Sequence, residues 1–216
     1  EFVRFGISMD ESRARFTEGV AAIRALLERE DVTFEGRYWQ FRNVTSLPRP
    51  TQKPRPPIWT AALGTPESVR AAGTAGDNLM LVAFAGKAMR EAIAGYRAAW
   101  DAAGHKGRGT VSIAFHMFCH EDRNEAYRIA RPHLTGYFRS LVEAMEIEGG
   151  WGKGASSKDY PGYEGHTAKL RQTTFESLIE SGTTLVGTPD DIARRLQDYV
   201  ELAGSFDAAT LQVNFH

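Results

Sequence analysis

A loop that leads from an apolar segment into a helix carries two hydroxyl side chains whose spacing suits anion binding. The loop is Leu63-Gly64-Thr65-Pro66-Glu67-Ser68, and its Thr65 and Ser68 are three residues apart, so both hydroxyls face one side of the first helical turn. Gly64 allows a ligand to approach the backbone, and the unpaired amides of a helix start attract phosphate. The same residues fit a plain helix cap, with Thr65 as the capping residue and Pro66 in the first turn. The pattern alone favours the cap without excluding a phosphate site.

A second Gly-Thr-Pro, at Gly187-Thr188-Pro189, predicts a structural helix start. Thr188 and Asp191 have the spacing of an N-cap with an acidic third position. The carboxylate of Asp191 would repel a phosphate. We therefore expect no ligand at this second site.

One apolar segment contains His116, Cys119 and His120, which together suggest metal binding. In a strand His116 and Cys119 point to opposite faces, and no further ligand cluster is visible, so we expect structural roles and no metal. His116, together with Phe84, is a candidate for lining a substrate pocket if both face the carboxyl ends of the strands.

The first quarter of the chain predicts a helix, a hairpin and an extended connection. Residues 10–30 have apolar side chains at helical spacing, namely Phe16, Val20, Ile23 and Leu27. Residues 32–34 and 38–41 flank a turn that contains Gly36, which is typical of a hairpin. Its aromatic residues could form a ligand cage, but we expect them to pack the hairpin onto the body or a dimer partner: Phe34, Tyr38, Trp39 and Phe41. The prolines of residues 48–57 exclude a helix there.

The rest of the chain alternates apolar strands with helices. Strands are predicted at residues 58–62, 79–84, 110–119 and 208–215. The helices between them begin near residues 64, 87, 121 and 188, and Pro132 should kink or divide the third. Continuous apolar strands alternating with helices indicate an α/β fold with a parallel sheet. Half of an eight-stranded barrel and a four-stranded doubly wound sheet fit this pattern equally well.

Composition excludes several classes of protein. The 216 residues carry a net charge of −1 with acidic and basic residues interspersed, so nucleic acid is not an expected partner. The apolar runs are too short to cross a bilayer, so no membrane association is expected. The single cysteine, Cys119, cannot form an internal disulfide, which fits a reducing compartment but also a small extracellular protein without bridges. We expect a cytoplasmic protein.

Several segments in fixed order resemble bacterial luciferase-like, flavin-dependent monooxygenases. They are Phe2-Val3-Arg4-Phe5-Gly6-Ile7, Arg15-Phe16-Thr17-Glu18-Gly19, Val32 to Trp39, Leu47 to Pro54, Pro56-Pro57-Ile58-Trp59 and Val186-Gly187-Thr188-Pro189. The resemblance implies a TIM (β/α)8 barrel of the luciferase-like type, present as a partial barrel of about strands five to eight. Residues 1–216 would then be a single partial barrel domain. Residues 149–165 match nothing in the family and are expected to be a glycine-rich insertion or lid.

The resemblance also implies a chemistry and its partners. The expected reaction is oxidation of a small organic substrate by reduced FMN and O2, with reduced FMN supplied by a flavin reductase. A deazaflavin-dependent oxidoreductase and a non-catalytic, shortened flavin-binding homologue are the alternatives. The cofactor phosphate is expected at Leu63, Gly64, Thr65 and Ser68, and the protein is expected to be a homodimer. Acid and base residues of the family lie in the other half of the barrel, so no catalytic residue is assigned.

Overall fold

The computed structural model describes residues 5–146 and 166–213. Its elements in chain order are α1 Met9–Glu28, β1 Val32–Glu35, β2 Gln40–Val44, β3 Trp59–Ala62, α2 Pro66–Ala75, β4 Asn78–Val82, α3 Gly86–Ala102, β5 Val111–Cys119, α4 Arg123–Met145, α5 His166–Arg171, α6 Phe175–Glu180, β6 Thr184–Gly187, α7 Pro189–Ala203 and β7 Ala208–Gln212. The chain divides into two compact units. The insertion predicted at residues 149–165 lies outside the described residues.

The first unit comprises Glu1–Pro57 and Leu141–Arg171 and contains α1 and the β1–β2 hairpin. Ser8 caps α1 by accepting a hydrogen bond from the amide of Asp10. The predicted hairpin is confirmed: β1 and β2 are antiparallel, and Phe34 and Phe41 stack with their ring centroids 5.6 Å apart.

The hairpin packs on a different side of α1 from the one that the apolar spacing predicts. The indole of Trp39 donates to the carbonyl oxygen of Arg15 and lies against Gly19. Phe16 and Ile23, which the pattern places on the buried side, are 58% and 52% exposed. Small residues of α1 are buried instead, because the turn residues of the hairpin bind the polar side of the helix.

The second unit comprises Ile58–Ser140 and Gln172–His216 and is built on a parallel sheet. The order is β3, β4, β5, and both β6 and β7 pair with β5. Helices α2, α3 and α7 pack on one face of this sheet, where the side chains of Leu79, Leu81, Ile113 and Phe115 are buried. The parallel α/β fold predicted from the alternating pattern is confirmed.

The other face of the sheet is more open. Ser112 of β5 and Thr210 of β7 share a hydrogen bond of 3.0 Å there, which shows that alternate residues of these strands face away from the helices. On the same face, Trp59 at the start of β3 and Val82 at the end of β4 remain 40% and 48% exposed. The described residues therefore leave much of this face uncovered.

The second half contains three short elements that the sequence did not predict, helices α5 and α6 and strand β6. Strand β6 was not predicted, because its four residues are too few to show a period, and they lie just before the helix that was predicted to begin at Thr188. Helix α4 runs from Arg123 to Met145 without a division at Pro132.

Among the helices of the described residues, none is long and apolar enough to cross a membrane.

Candidate functional site

The loop between β3 and α2 carries the two predicted hydroxyl groups side by side. The hydroxyl of Thr65 donates to the hydroxyl oxygen of Ser68 at 2.8 Å. Thr65 occupies the N-cap position, but its side chain makes no capping hydrogen bond, and only its carbonyl oxygen accepts the helical bond from Val69. The side-chain cap that the sequence pattern favours is therefore not formed. The Ser68 hydroxyl, as acceptor of this bond, retains its own proton for another partner.

The start of α2 offers further donors to an anion. Pro66 stands at the first helical position, so the next amides, those of Glu67 and Ser68, belong to the group that a helix cannot pair internally. Within the described residues, neither of these two amides donates a hydrogen bond. The carboxylate of Glu67 lies 3.4 Å from the guanidinium of Arg70, which offsets its negative charge. The loop thus presents donors with little opposing charge.

Gly64 is required by the conformation of the loop and by its neighbour. Its φ is +90°, which favours glycine. A Cβ at this position would lie 2.8 Å from Cζ of Phe84. The Phe84 ring therefore packs against the backbone of the loop and supports it. A ligand cannot approach Gly64 from the side where this ring lies.

Phe84 is held by a residue that sequence analysis did not identify. The hydroxyl of Tyr199, on α7, donates to the Phe84 carbonyl oxygen at 2.7 Å and accepts from the Phe84 amide at 3.3 Å. Tyr199 is buried, and burial raises its pKa to about 12. The two residues are 115 positions apart, and no local pattern of the sequence connects them.

His116 lies in the second half of β5, in an aromatic environment. Its ring is 4.7 Å from the ring of Tyr137 and 5.9 Å from that of Phe138, both on α4. Burial lowers the pKa of His116, because the charged imidazolium is poorly solvated there. The described contacts do not join His116 to Phe84, so the two predicted pocket residues are not brought together.

The second Gly-Thr-Pro forms the predicted structural helix start. Thr188 and Asp191 make a capping box, in which each side chain accepts a hydrogen bond from the backbone amide of the other. Asp191 is buried and also binds Arg123, so its carboxylate is fully engaged. The box occupies the amides of Thr188 and Asp191, and the Asp191 carboxylate would repel a phosphate.

The described residues show no metal site, and a surface hollow lies on the hairpin. No group of three or more histidine, cysteine or acidic residues is close enough to hold a metal among them. Cys119 is exposed, and Nδ1 of His120 accepts a hydrogen bond from the Asp122 amide at 3.0 Å. A hollow of about 310 Å³ lies along the hairpin rather than at the Thr65 loop, lined by Phe34, Glu35, Gly36, Gln40, Phe41 and Arg42.

Comparison with known proteins identifies the family. The profile of luciferase-like monooxygenases matches residues 1–205, and the chain therefore belongs to the luciferase-like monooxygenase family. The solved structure of monooxygenase RslO1 from Streptomyces bottropensis is similar with a TM-score of 0.76 and 33% identity, over 99% of this chain and 58% of that one. The parallel strands of the second unit are accordingly part of a luciferase-like barrel.

Two curated relatives show the range of cofactors named in this family. An FMNH2-dependent dimethylsulfone monooxygenase from Pseudomonas putida is 27% identical over 87% of this chain and 50% of its own length. An F420-dependent glucose-6-phosphate dehydrogenase from Kineococcus radiotolerans is 39% identical over 39% of this chain and 24% of its own length. The chain spans about half the length of the curated relatives that it matches over most of its residues.

Proposed function

We propose that the complete protein is a flavin-dependent monooxygenase that uses reduced FMN and O2 on a small organic substrate. The observation that carries this proposal is the pair of hydroxyls of Thr65 and Ser68, 2.8 Å apart at the start of α2. The pair follows a parallel strand at the carboxyl face of the sheet, where barrel enzymes have their active sites, and it stands at a helix N-terminus, which favours an anion. Family membership and the FMNH2-dependent relative support the choice of cofactor.

The residues present fit a flavin phosphate. The hydroxyl of Ser68 and the amides of Glu67 and Ser68 are donors at a helix N-terminus, where the helix dipole favours an anion. Thr65 would exchange its bond to Ser68 for one to a phosphate oxygen. Leu63 and Gly64 would supply the backbone of this site. When bound, the reduced flavin supplies the reaction with O2, and these residues hold its phosphate end.

Phe84 and His116 are proposed to contact the substrate from two separate places. Phe84 follows β4 at the carboxyl edge of the sheet, beside the loop of Gly64. His116 is kept neutral by burial, so near pH 7 it would act as a hydrogen-bonding group and not as a cation. Both residues would shape the substrate pocket and exclude part of the water from it.

A titration of the complete protein under anaerobic conditions tests the proposed cofactor. We expect it to bind reduced FMN, with a flavin reductase as its natural source, and then to incorporate oxygen into a small organic substrate when air is admitted. Free reduced FMN reduces O2 to hydrogen peroxide without any protein, so the oxygenated product is the readout and the consumption of O2 is not. Binding of a reduced deazaflavin in place of FMN would contradict the choice of cofactor and favour an oxidoreductase like the F420-dependent relative. Flavin binding with hydrogen peroxide as the product, and no oxygenated product from a panel of small organic substrates, would identify a non-catalytic homologue.

The exposed apolar side of α1 supports the proposal that the protein is a homodimer. Phe16 and Ile23 are two helical turns apart and largely exposed, and a second copy would bury both. Sedimentation at micromolar concentration should give the mass of a dimer, and Phe16→Ser with Ile23→Ser should shift it toward a monomer. A monomeric mass for the unchanged protein would contradict this proposal. The cytoplasmic location stays a prediction from composition.

A further inference from the structure

Two buried tyrosine hydroxyls tie the opposite ends of β4 to helices. Tyr96, on α3, donates to the carbonyl oxygen of Asp77 at 2.8 Å, directly before the strand. Tyr199, on α7, donates to the carbonyl oxygen of Phe84 at 2.7 Å and accepts from its amide, two residues after the strand ends at Val82. The two tyrosines are chemically alike, but only Tyr199 acts at the carboxyl end of the sheet.

The position of the Tyr199 hydroxyl is set by the core. Its ring packs edge-on against Phe115, with centroids 5.0 Å apart and an interplanar angle of 84°, and lies 6.3 Å from the ring of Phe206. A side chain fixed in this way has little rotational freedom left to lose when its hydroxyl binds the backbone. The hydroxyl therefore fixes the backbone of Phe84 relative to the core.

The ring of Phe84 in turn contacts the loop that carries the hydroxyls of Thr65 and Ser68. The Phe84 ring lies so close to Gly64 that a Cβ on this glycine would meet it at 2.8 Å. Gly64 is followed at once by Thr65, whose hydroxyl binds Ser68. A shift of the Phe84 backbone would displace its ring and release the loop that it supports.

We propose that Tyr199 is a positioning residue for the flavin-phosphate site, acting through Phe84 on the loop from Gly64 to Ser68. This inference rests on the proposed function of that loop. It assigns to α7 a binding role in addition to its packing on the sheet. The hydroxyl acts as a neutral donor and acceptor, which its high pKa preserves throughout the working range of pH.

The test compares Tyr199→Phe with the matched control Tyr96→Phe in the complete protein. Both variants keep a buried ring and lose a hydroxyl that binds the backbone at one end of β4, so both should lower the melting temperature. Only Tyr199→Phe should weaken FMN binding more than riboflavin binding, by about fivefold, because only its contacts lead to the phosphate loop. An unchanged ratio of the two affinities, or the same change in both variants, would overturn the proposal.

A double-mutant cycle separates this proposal from the function on which it rests. In a protein that already carries Thr65→Ala and Ser68→Ala, Tyr199→Phe should no longer change the ratio of FMN to riboflavin affinity. An undiminished change would mean that Tyr199 acts independently of the two hydroxyls. If the two alanines themselves leave the ratio unchanged, the phosphate site is wrong; if only Tyr199→Phe leaves it unchanged, the positioning role alone is wrong.

A second variant tests the same proposal if Tyr199→Phe does not fold. Phe84→Leu keeps the backbone bonds to Tyr199 and removes the ring that supports Gly64. It should change the ratio of FMN to riboflavin affinity in the same direction as Tyr199→Phe. A Phe84→Leu protein with the original ratio would show that no support passes from Phe84 to the loop.

Discussion

Arg123 donates two hydrogen bonds to Asp191, from Nε to Oδ2 at 2.7 Å and from Nη2 to Oδ1 at 2.5 Å. The same carboxylate accepts a bond from the amide of Thr188 and so completes the capping box of α7. The pair joins the start of α4 to the start of α7. Because Asp191 is buried, the loss of its charge would leave the cap and the guanidinium without their common partner.

We expect Asp191→Asn to lower the free energy of unfolding by about 2 kcal/mol near neutral pH, because hydrogen bonds to a charged group are lost. The bonds from Arg123 and Thr188 hold the pKa of Asp191 well below its ordinary value of 3.8. A carboxyl with a lowered pKa stabilises the fold above its unfolded pKa, and this contribution is lost progressively as the pH falls from about 4 toward the lower, folded pKa. Urea titrations at pH 7 and pH 3 should therefore show a smaller pH dependence in the variant.

Glu125→Gln is the matched control for this carboxylate. Glu125 also binds an arginine, Arg128, at 2.8 Å, but both side chains are well exposed. Exposed pairs contribute little to stability. An equal loss of stability in the two variants would contradict the structural role of Asp191.

The carboxylate of Glu18 organises the turn of the hairpin. It accepts hydrogen bonds from three successive amides, those of Arg37, Tyr38 and Trp39, at 3.0, 2.8 and 2.8 Å. Desolvation raises the pKa of Glu18, but the three amides outweigh this effect and lower it below the ordinary 4.5. The stabilisation is present above the unfolded pKa and is lost as the pH falls through the lower, folded value.

We expect Glu18→Gln to speed hydrogen exchange of these turn amides severalfold at neutral pH, since a neutral amide oxygen is a weaker acceptor. Exchange measured by NMR or mass spectrometry checks this. The control is Glu35→Gln in the same hairpin, because Glu35 binds Arg42 at 3.2 Å with both side chains exposed. Comparable acceleration in both variants would show that the amides do not depend on Glu18.

Gly64→Ala should both strain the loop and displace the Phe84 ring. The φ of +90° and the distance of 2.8 Å to Phe84 make the substitution unfavourable by about 1 to 2 kcal/mol. Gly95→Ala is the control, because this glycine lies within α3 and its Cβ would meet no atom within 4 Å. Thermal unfolding should show a loss for the first variant and a gain of up to about 1 kcal/mol for the second. A neutral Gly64→Ala would contradict the close support by Phe84.

Most strands and helices could be predicted because each leaves a local signal, whereas the short elements α5, α6 and β6 leave none. The helix that starts at Pro66 ends at Ala75, and Gly76 follows in the left-handed conformation, as the glycine there indicates. Local periodicity also predicted the helix that contains Phe16 and Ile23, but not the side that is buried. That side depends on the hairpin that packs against the helix, which is a tertiary property.

The site was predictable only in part for the same reason. The spacing of Thr65 and Ser68 placed both hydroxyls on one side of the turn, which their hydrogen bond confirms. The role of Phe84 as support for Gly64, and the bond from Tyr199 that fixes it, join separate elements of the sheet and helix layers. Contacts of such separation have no spacing that a sequence can show.

The binding of FMN and of riboflavin to the complete protein with Thr65→Ala and Ser68→Ala tests the central claim most directly. Riboflavin lacks the phosphate, so it reports any general damage to the flavin site. Hydrogen bonds to a charged group contribute about 1.5 to 3 kcal/mol, so the variant should bind FMN at least about tenfold more weakly and riboflavin almost unchanged. An equal loss of affinity for both flavins would contradict the assignment of the phosphate to Thr65 and Ser68.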